Sequence, residues 1–425
     1  MNVGTACYSE STMVEAPTPS RLPEASPYSR HLPALDGVRG LAILMVMCSH
    51  FFPGTPHNRS EQFVQMLLAF GGGGVDLFFV LSGFLITGIL FDSLHEPHFF
   101  RKFYARRALR ILPLYYGVIA VFAVIGLVQH RSSDGELLSL ALYLQNTPLI
   151  AAPIFLYSGP LYLPLGHFWS LAIEEQFYLV WPLLVFLLRT RTRLLVLCTI
   201  FMFLCPILRF LAWQHGASLF SVHANTLFRA DALLIGGALA LLLRSRLHDQ
   251  VLVVLPWLSP APLLLLLMGT VHVLSKSISH PQPSFAAISA SYSILDLGYA
   301  GLLALSLSAT SARSFFSLRP LRALGKYSYG LYVLHLILLS YIQAPLRSYL
   351  NQMHVRKGVA VLLVGLIGFA ISIPAAILSY QLYERRFLRL KRFFDYRPHG
   401  PGSASALAQS TSPTPGRPPA APALH

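Results

Sequence analysis

Between residues 38 and 383 the chain alternates long apolar runs with short, mostly basic breaks. A helix needs about 20 apolar residues to cross the hydrocarbon core of a bilayer. Ten stretches approach that length and predict spans: 38–53, 73–91, 111–129, 168–188, 194–212, 227–244, 251–272, 291–310, 328–346 and 359–381. The stretch 136–157 does not read as a clean span. Gln145, Asn146, Pro148 and Pro153 interrupt it, so a re-entrant or partly exposed segment is expected there. The pattern predicts an all-α protein, a polytopic transmembrane helical bundle of about ten spanning helices with one irregular segment near 136–157.

The flanks differ from this bundle. Residues 1–34 are rich in Pro, Ser, Thr and Glu and hold no apolar run, which predicts a disordered cytoplasmic arm rather than a signal peptide. Residues 393–425 form a Pro/Ala/Ser-rich tail, expected to be equally disordered. The membrane domain is therefore 35–392. Composition agrees: 54% of the 425 residues are hydrophobic and 12% charged, where soluble domains carry about 25% charged residues.

The net charge of +15 changes the picture only through its distribution. The basic residues fall in clusters, Arg101 to Arg110, Arg189 to Arg193, Arg244 to Arg246, Arg313 to Lys326 and Arg385 to Arg392. With ten spans and the first running outward, all five clusters lie in the cytoplasm, as the positive-inside rule requires. An eleventh span at 136–157 would place the clusters from Arg189 onward outside. Both termini are thus expected in the cytoplasm, and nucleic acid is not an expected partner. The loop 347–358 runs against this topology, with three basic residues on the outer side. Cys48, Cys198 and Cys205 lie in apolar segments and Cys7 in the leading arm, with no metal-ligand spacing; neither a disulfide framework nor a metal site is expected.

Four polar constellations, in the spans or at their boundaries, are candidates to carry chemistry. Arg39 and His50 are eleven residues apart in LDGVRGLAILMVMCSH. On a helix this is about three full turns of rotation and a rise of about 16 Å. Both therefore share one face, the Arg near a membrane boundary and the His deeper in. Ionisable residues in a span usually face a protein-lined cavity, and an imidazole can carry a proton near neutral pH; a snorkelling Arg with a packed His is the competing explanation. In GGGGVDLFFVLSGFLITGIL, residues 71–90, Asp76 demands a basic partner, as an ion pair or as a functional group, while Ser82 and Gly83 suit close helix packing. In FYARRALRILPLYY, Arg106, Arg107 and Arg110 share a helix face. Their guanidinium forks match phosphate oxygens, although ordinary boundary charge accounts for this loop taken alone. In HFWSLAIEEQFYLVWPLL, Ser170, Glu174 and Tyr178 follow i, i+4 spacing, and the adjacent Glu174 and Glu175 cannot both face lipid. Glu174 is the stronger acid/base candidate. His335, in LGKYSYGLYVLHLI, reads more readily as a packing residue, and His167 is similarly ambiguous.

Together these segments resemble the integral-membrane acyltransferase family 3, bacterial proteins that O-acylate cell-surface sugars and some secreted molecules. Arg39 and His50 fill the family's R/K-x10-H signature. GVDLFFVLSGFLIT and ARRALRILPLYY match its next two blocks, WSLAIEEQFYLVWP its SLxxExxFY block, and YSYGLYVLH its late block. All five occur in order, and the resemblance covers about residues 33–390. It implies a multi-pass protein of the bacterial cytoplasmic membrane with no permanently bound cofactor, taking acetyl-CoA or another acyl-CoA as donor from the cytoplasm. It implies that His50 is essential, as general base or acyl carrier, with Arg39, Asp76 and Glu174 in catalysis and Arg106, Arg107 and Arg110 on the donor phosphates. Ser170, Glu175, Tyr178 and His335 are secondary candidates. In this reading Glu174 or Asp76 orients the imidazole, and the acceptor is a hydroxyl of a cell-surface or exported carbohydrate. The tail is expected to be too short for the extracytoplasmic hydrolase-like domain that some members carry, so a separate extracytoplasmic transferase would hand on the acyl group where one is needed. A proton-coupled exporter or flippase of a polar or glycosylated substrate is the alternative from outside enzymology.

Overall fold

A computed structural model describes residues 32–52, 64, 67–68, 70–130, 134–147, 164–261, 263–265 and 285–395. The leading arm up to residue 31 and the tail from 396 lie outside these residues. Among the described residues there are helices and turns but no strand.

Helix α1 (Pro33–Phe51) starts with Pro in its first turn, where the missing N–H is not needed, and Asp36 faces the positive end of the helix dipole. A 3-10 turn of three glycines leads into α2 (Gly74–Asp92). Then come α3 (Phe99–Val128), the short α4 (Asp134–Ala141), α5 (Trp169–Leu188), α6 (Arg191–Gln214), α7 (Leu219–Ala224), α8 (Thr226–Leu242) and α9 (His248–Val254). The chain continues through α10 (Phe285–Ser308), α11 (Thr310–Phe316), α12 (Arg319–Gln352) and α13 (Lys357–Ser379). A π-helical turn at Tyr380–Glu384, the short α14 (Arg385–Arg389) and a 3-10 turn at Leu390–Phe394 follow.

Eight of the described helices are long and apolar enough to cross a membrane. Of the ten spans expected, 227–244 appears as α8, whose 17 residues are largely buried inside the bundle. The span expected at 251–272 starts as α9 and a 3-10 turn at Leu255–Leu258, and its latter part lies outside the described residues. The described part of 136–157 is not a span: α4 ends at Ala141 and the chain turns. Its polar residues satisfy neighbouring backbone, Gln145 donating to the Phe168 carbonyl at 2.9 Å and Asn146 to the Ala224 carbonyl at 3.1 Å. Non-helical backbone at membrane depth survives only where protein satisfies it.

Two tightly apposed helix pairs form the centre. A side chain at Gly40 would strike the Leu321 carbonyl, and one at Gly325 the Asp36 carbonyl, so α1 and α12 touch backbone to backbone. Likewise α2 and α8 meet reciprocally, Gly83 against the Leu233 carbonyl and Gly236 against the Val80 carbonyl. Without water to drive association, helices in lipid gain most from such close van der Waals contact. Around this centre α3, α6 and α13 turn apolar residues outward, among them Leu127, Phe203 and Leu366. The fold is that of a multi-pass membrane protein, and the core pairs fix where α1, α2 and α12 present their polar side chains.

Candidate active site

At the basic end of the bundle a vestibule of about 590 Å3 opens between α1, α3, α12 and the segment after α13. Arg39, Arg110, Arg319, Arg322, Lys326 and Lys391 line it, against only two carboxylates, Asp36 and Glu384. Arg39 and Arg110 also line a second, narrower cleft of about 80 Å3 that runs into the bundle. The two spaces therefore join at these guanidiniums. The Arg39 guanidinium is held by Asp36 at 3.0 Å.

The cleft is built by α1, α2, α3, α5 and α12. The face that i, i+4 spacing places on α5 is the one presented: Ser170, Glu174 and Tyr178 all line the cleft, and Glu175 does as well. Ser82 of α2 donates to Glu174 Oε1 at 2.6 Å, so it is more than a small packing residue. Gly83 beside it is the packing residue the sequence suggested. Arg107 lies over the Tyr178 ring, 4.7 Å from its centroid, and faces the cleft with Arg110. Arg106 does not join them. It turns back to the Phe394 carbonyl and pairs with Asp395, so of the three arginines expected together only Arg107 and Arg110 line the cleft. Arg319, Arg322, Lys326 and Lys391 were legible only as boundary charge. Arg319, Arg322 and Lys326 share one face at the start of α12, but nothing local shows that Lys391, from the 3-10 turn at Leu390–Phe394, meets the same wall.

The opposite end of the cleft is closed by Ser170 and Tyr332, whose hydroxyls hydrogen-bond each other. Tyr332 Oη also donates to the His167 carbonyl at 2.9 Å. Behind this pair stands a cluster of three imidazoles. His50 Nδ1 lies 2.9 Å from His335 Nε2, the rings stack with centroids 5.2 Å apart, and the His167 ring meets His335 edge-on at 5.1 Å. His335 is fully buried and His50 only partly. His335, a secondary candidate in the sequence, is thus the residue that meets the His50 ring, where Glu174 or Asp76 was expected. Asp76 faces away from the cleft and pairs with Arg229 of α8. A histidine in an apolar span with a second one 285 residues away carries no local signal of the pairing.

The Asp76–Arg229 pair belongs to a separate buried network. Arg209 of α6 donates to both carboxylate oxygens of Asp231, at 3.1 and 2.9 Å, to the Ser289 carbonyl and to Ser293 Oγ. Ser293 donates on to Asp231 at 2.7 Å. The Tyr292 ring lies near both guanidiniums, 4.2 Å from Arg229 and 5.5 Å from Arg209. Asp296 completes the set, fully buried, with neither carboxylate oxygen hydrogen-bonded among the described residues. Arg209, Arg229, Asp231 and Asp296 were all missed from the sequence, although each is an ionisable residue inside an apolar stretch and that alone is a signal. Among the described residues no group of His, Cys, Asp and Glu could hold a metal ion.

The arrangement joins a cationic chamber to a narrow polar cleft, with an imidazole pair behind the Ser170–Tyr332 hydroxyls. Such a path suits a polyanion with a slim reactive arm, its charge held at the mouth and its end brought toward His50. Comparison with known proteins agrees in class. A family model described as an acyltransferase domain matches residues 32–381. The peptidoglycan O-acetyltransferase OatA of Listeria monocytogenes is 32% identical over 326 residues, covering 72% of this chain and 49% of that protein. The O-acetyltransferase OatA of Staphylococcus aureus is 26% identical over 374 residues, covering 84% of this chain and 57% of that protein. The chain spans about half the length of the curated relatives it matches. No solved structure matches. With the family model covering most of its length and the five sequence blocks surrounding one path through the bundle, the chain belongs to the membrane acyltransferase family 3.

Proposed function

We propose that this protein is a membrane O-acyltransferase that moves an acyl group, acetyl in the first instance, from cytoplasmic acyl-CoA to a hydroxyl of a cell-surface carbohydrate. One observation carries the reading: the vestibule lined by six cations shares Arg39 and Arg110 with the cleft, and Tyr332, which lines the cleft, packs against His335, the partner of His50. Coenzyme A has the matching form, with clustered phosphates on one side and a long thin thioester arm on the other. Guanidinium forks grip phosphate oxygens in bidentate fashion. The vestibule would take the nucleotide phosphates, and the smaller cleft would take the arm.

In this mechanism Arg39, Arg110 and the vestibule cations hold the donor. Arg107, beside the ring of Tyr178, supports the arm. His50 accepts the proton of the acceptor hydroxyl as its oxygen attacks the thioester carbon, or takes the acyl group itself and passes it on. The C–S bond breaks in either case, and the thiolate leaves toward the vestibule and is protonated there. Glu174, hydrogen-bonded by Ser82, sits along the cleft between the arginines and the closing Ser170–Tyr332 pair. It orders the arm rather than the imidazole. Peptidoglycan is the first acceptor to test, since the Listeria relative carries that activity in its name.

The test is genetic and chemical. A strain lacking the protein should lose acetyl mass from a surface glycan, and wild type should restore it. His50→Ala, expressed to the same level in the membrane, should not. Restoration by His50→Ala would remove the catalytic assignment.

A further inference from the structure

We infer that His335 is a positioning residue that fixes the tautomer of His50, so that Nε2 of His50 is the reacting atom. The inference rests on the acyl-transfer reading above but concerns which nitrogen reacts, and geometry alone leads to it. His335 Nδ1 lies 3.0 Å from the Leu331 carbonyl and 2.8 Å from the Tyr332 carbonyl, one turn back on its own helix. A carbonyl oxygen only accepts, so this nitrogen carries the hydrogen. The single N–H of a neutral imidazole is thereby spent on the backbone, and Nε2 of His335 presents a lone pair. That lone pair points at His50 Nδ1 from 2.9 Å. His50 must then donate from Nδ1, and its own lone pair is left on Nε2.

The same hydrogen bond serves both versions of the chemistry. Where Nε2 takes the acceptor's proton, the ring becomes an imidazolium with its second N–H already directed at His335. Where Nε2 attacks the thioester, the C–S bond breaks and the thiolate departs, leaving an N-acylimidazolium whose Nδ1 proton faces the His335 lone pair. Hydroxyl attack on that acyl carbon then forms the ester as the Nε2–C bond breaks, and the freed Nε2 takes the hydroxyl proton and gives it up to the departing thiolate, which leaves as the thiol. A base whose orientation is fixed by a third group is the arrangement that makes a histidine effective, and the wrong tautomer leaves the ring without a lone pair at the reacting side. The fold holds His335 rigidly: it is fully buried, with Phe51, His167 and Tyr332 packed around its ring.

The experiment uses the full chain in lipid nanodiscs, labelled with 15N-histidine, with His50→Gln identifying the His50 signals. The expected spectrum shows His50 protonated on Nδ1 in the wild type. His335→Phe should lose that preference and lower acetylation of the surface glycan by roughly 100-fold, the range of a lost acid–base contribution, with coenzyme A affinity unchanged. His335→Gln, whose amide oxygen can accept from Nδ1, should recover part of the loss. Protonation of wild-type His50 on Nε2, or acetylation by His335→Phe within threefold of wild type, overturns the inference. Should His335→Phe fold poorly, the wild-type spectrum and the Gln variant still decide. Wild-type protein that does not bind coenzyme A would instead count against the donor reading, and the tautomer would remain readable.

Discussion

On α6 and α8 the buried arginines meet buried carboxylates, whereas around the cleft and vestibule the arginines crowd one another. Arg209 is fully buried and every hydrogen bond it makes ends on Asp231, a serine hydroxyl or a backbone carbonyl. Arg110 is partly buried too, but its neighbours include Arg39 and Arg107, and it lines both cavities. The same residue type therefore does opposite things in one molecule. A closed network holds helices in register. Cations gathered against their own repulsion are what the proposed donor site requires, and that difference, more than burial, is what the predictions below probe.

The largest effect should come from opening the closed network. Arg209→Ala leaves Asp231 buried without its partner, a loss of about 3–5 kcal/mol for a broken buried pair. Purified protein should unfold at a much lower temperature and lose its single size-exclusion peak. The double change Arg209→Met with Asp231→Leu should recover most of that loss, since apolar replacements of a whole pair are often tolerated. A double variant as unstable as the single one would mean that the charges themselves are needed. Acid approaches the same network from its rim. His223 of α7 lies outside the candidate spans, its Nδ1 3.0 Å from Tyr292 Oη and its ring against Trp169. Burial lowers its pKa from 6.5 to about 4. The folded protein keeps it neutral, so the stabilisation is complete above about pH 6.5 and is lost as pH falls toward 4. At 1.36 kcal/mol per unit this amounts to about 3–3.5 kcal/mol. Unfolding midpoints measured across that window should fall in the wild type and flatten in His223→Gln.

How far the sequence could be read follows the same division. Spans, the broken segment near 136–157 and the polar face of α5 are local patterns, set by hydrophobicity, by Gln145 and Asn146, and by i, i+4 spacing. Each was visible because the signal lies within about twenty residues. The pairing of His50 with His335 joins the two ends of the chain, and only the glycine-mediated contact of α1 with α12 brings them together. The vestibule fails to show for a related reason: Arg319 and Lys391 look like boundary charge until α12 and the segment after α13 are placed side by side. Asp76 was rightly expected to need a basic partner, but which arginine answers it depends on the α2–α8 contact.

Smaller effects sharpen the comparison because they should reverse its sign. Arg110→Met removes one of three crowded guanidiniums, so the empty protein should unfold no more easily than wild type, at an equal or higher midpoint. Coenzyme A binding, followed by titration calorimetry, should weaken about tenfold, or about 1.4 kcal/mol, the scale of one lost charge-assisted contact. A drop in stability as large as that of Arg209→Ala would place Arg110 in a structural network after all. Arg319, exposed at the vestibule rim, should matter least. Exposed charge pairs contribute about 0.2–1 kcal/mol, so Arg319→Ala should weaken binding by roughly twofold. That difference should vanish in high salt, because rim charges act across solvent within about a Debye length, some 10 Å at 0.1 M. The Arg110 effect should persist there, since its partner would be held inside the protein. A rim residue that kept its full effect in salt would move the donor's phosphates outward and leave the cleft guanidiniums to the thioester.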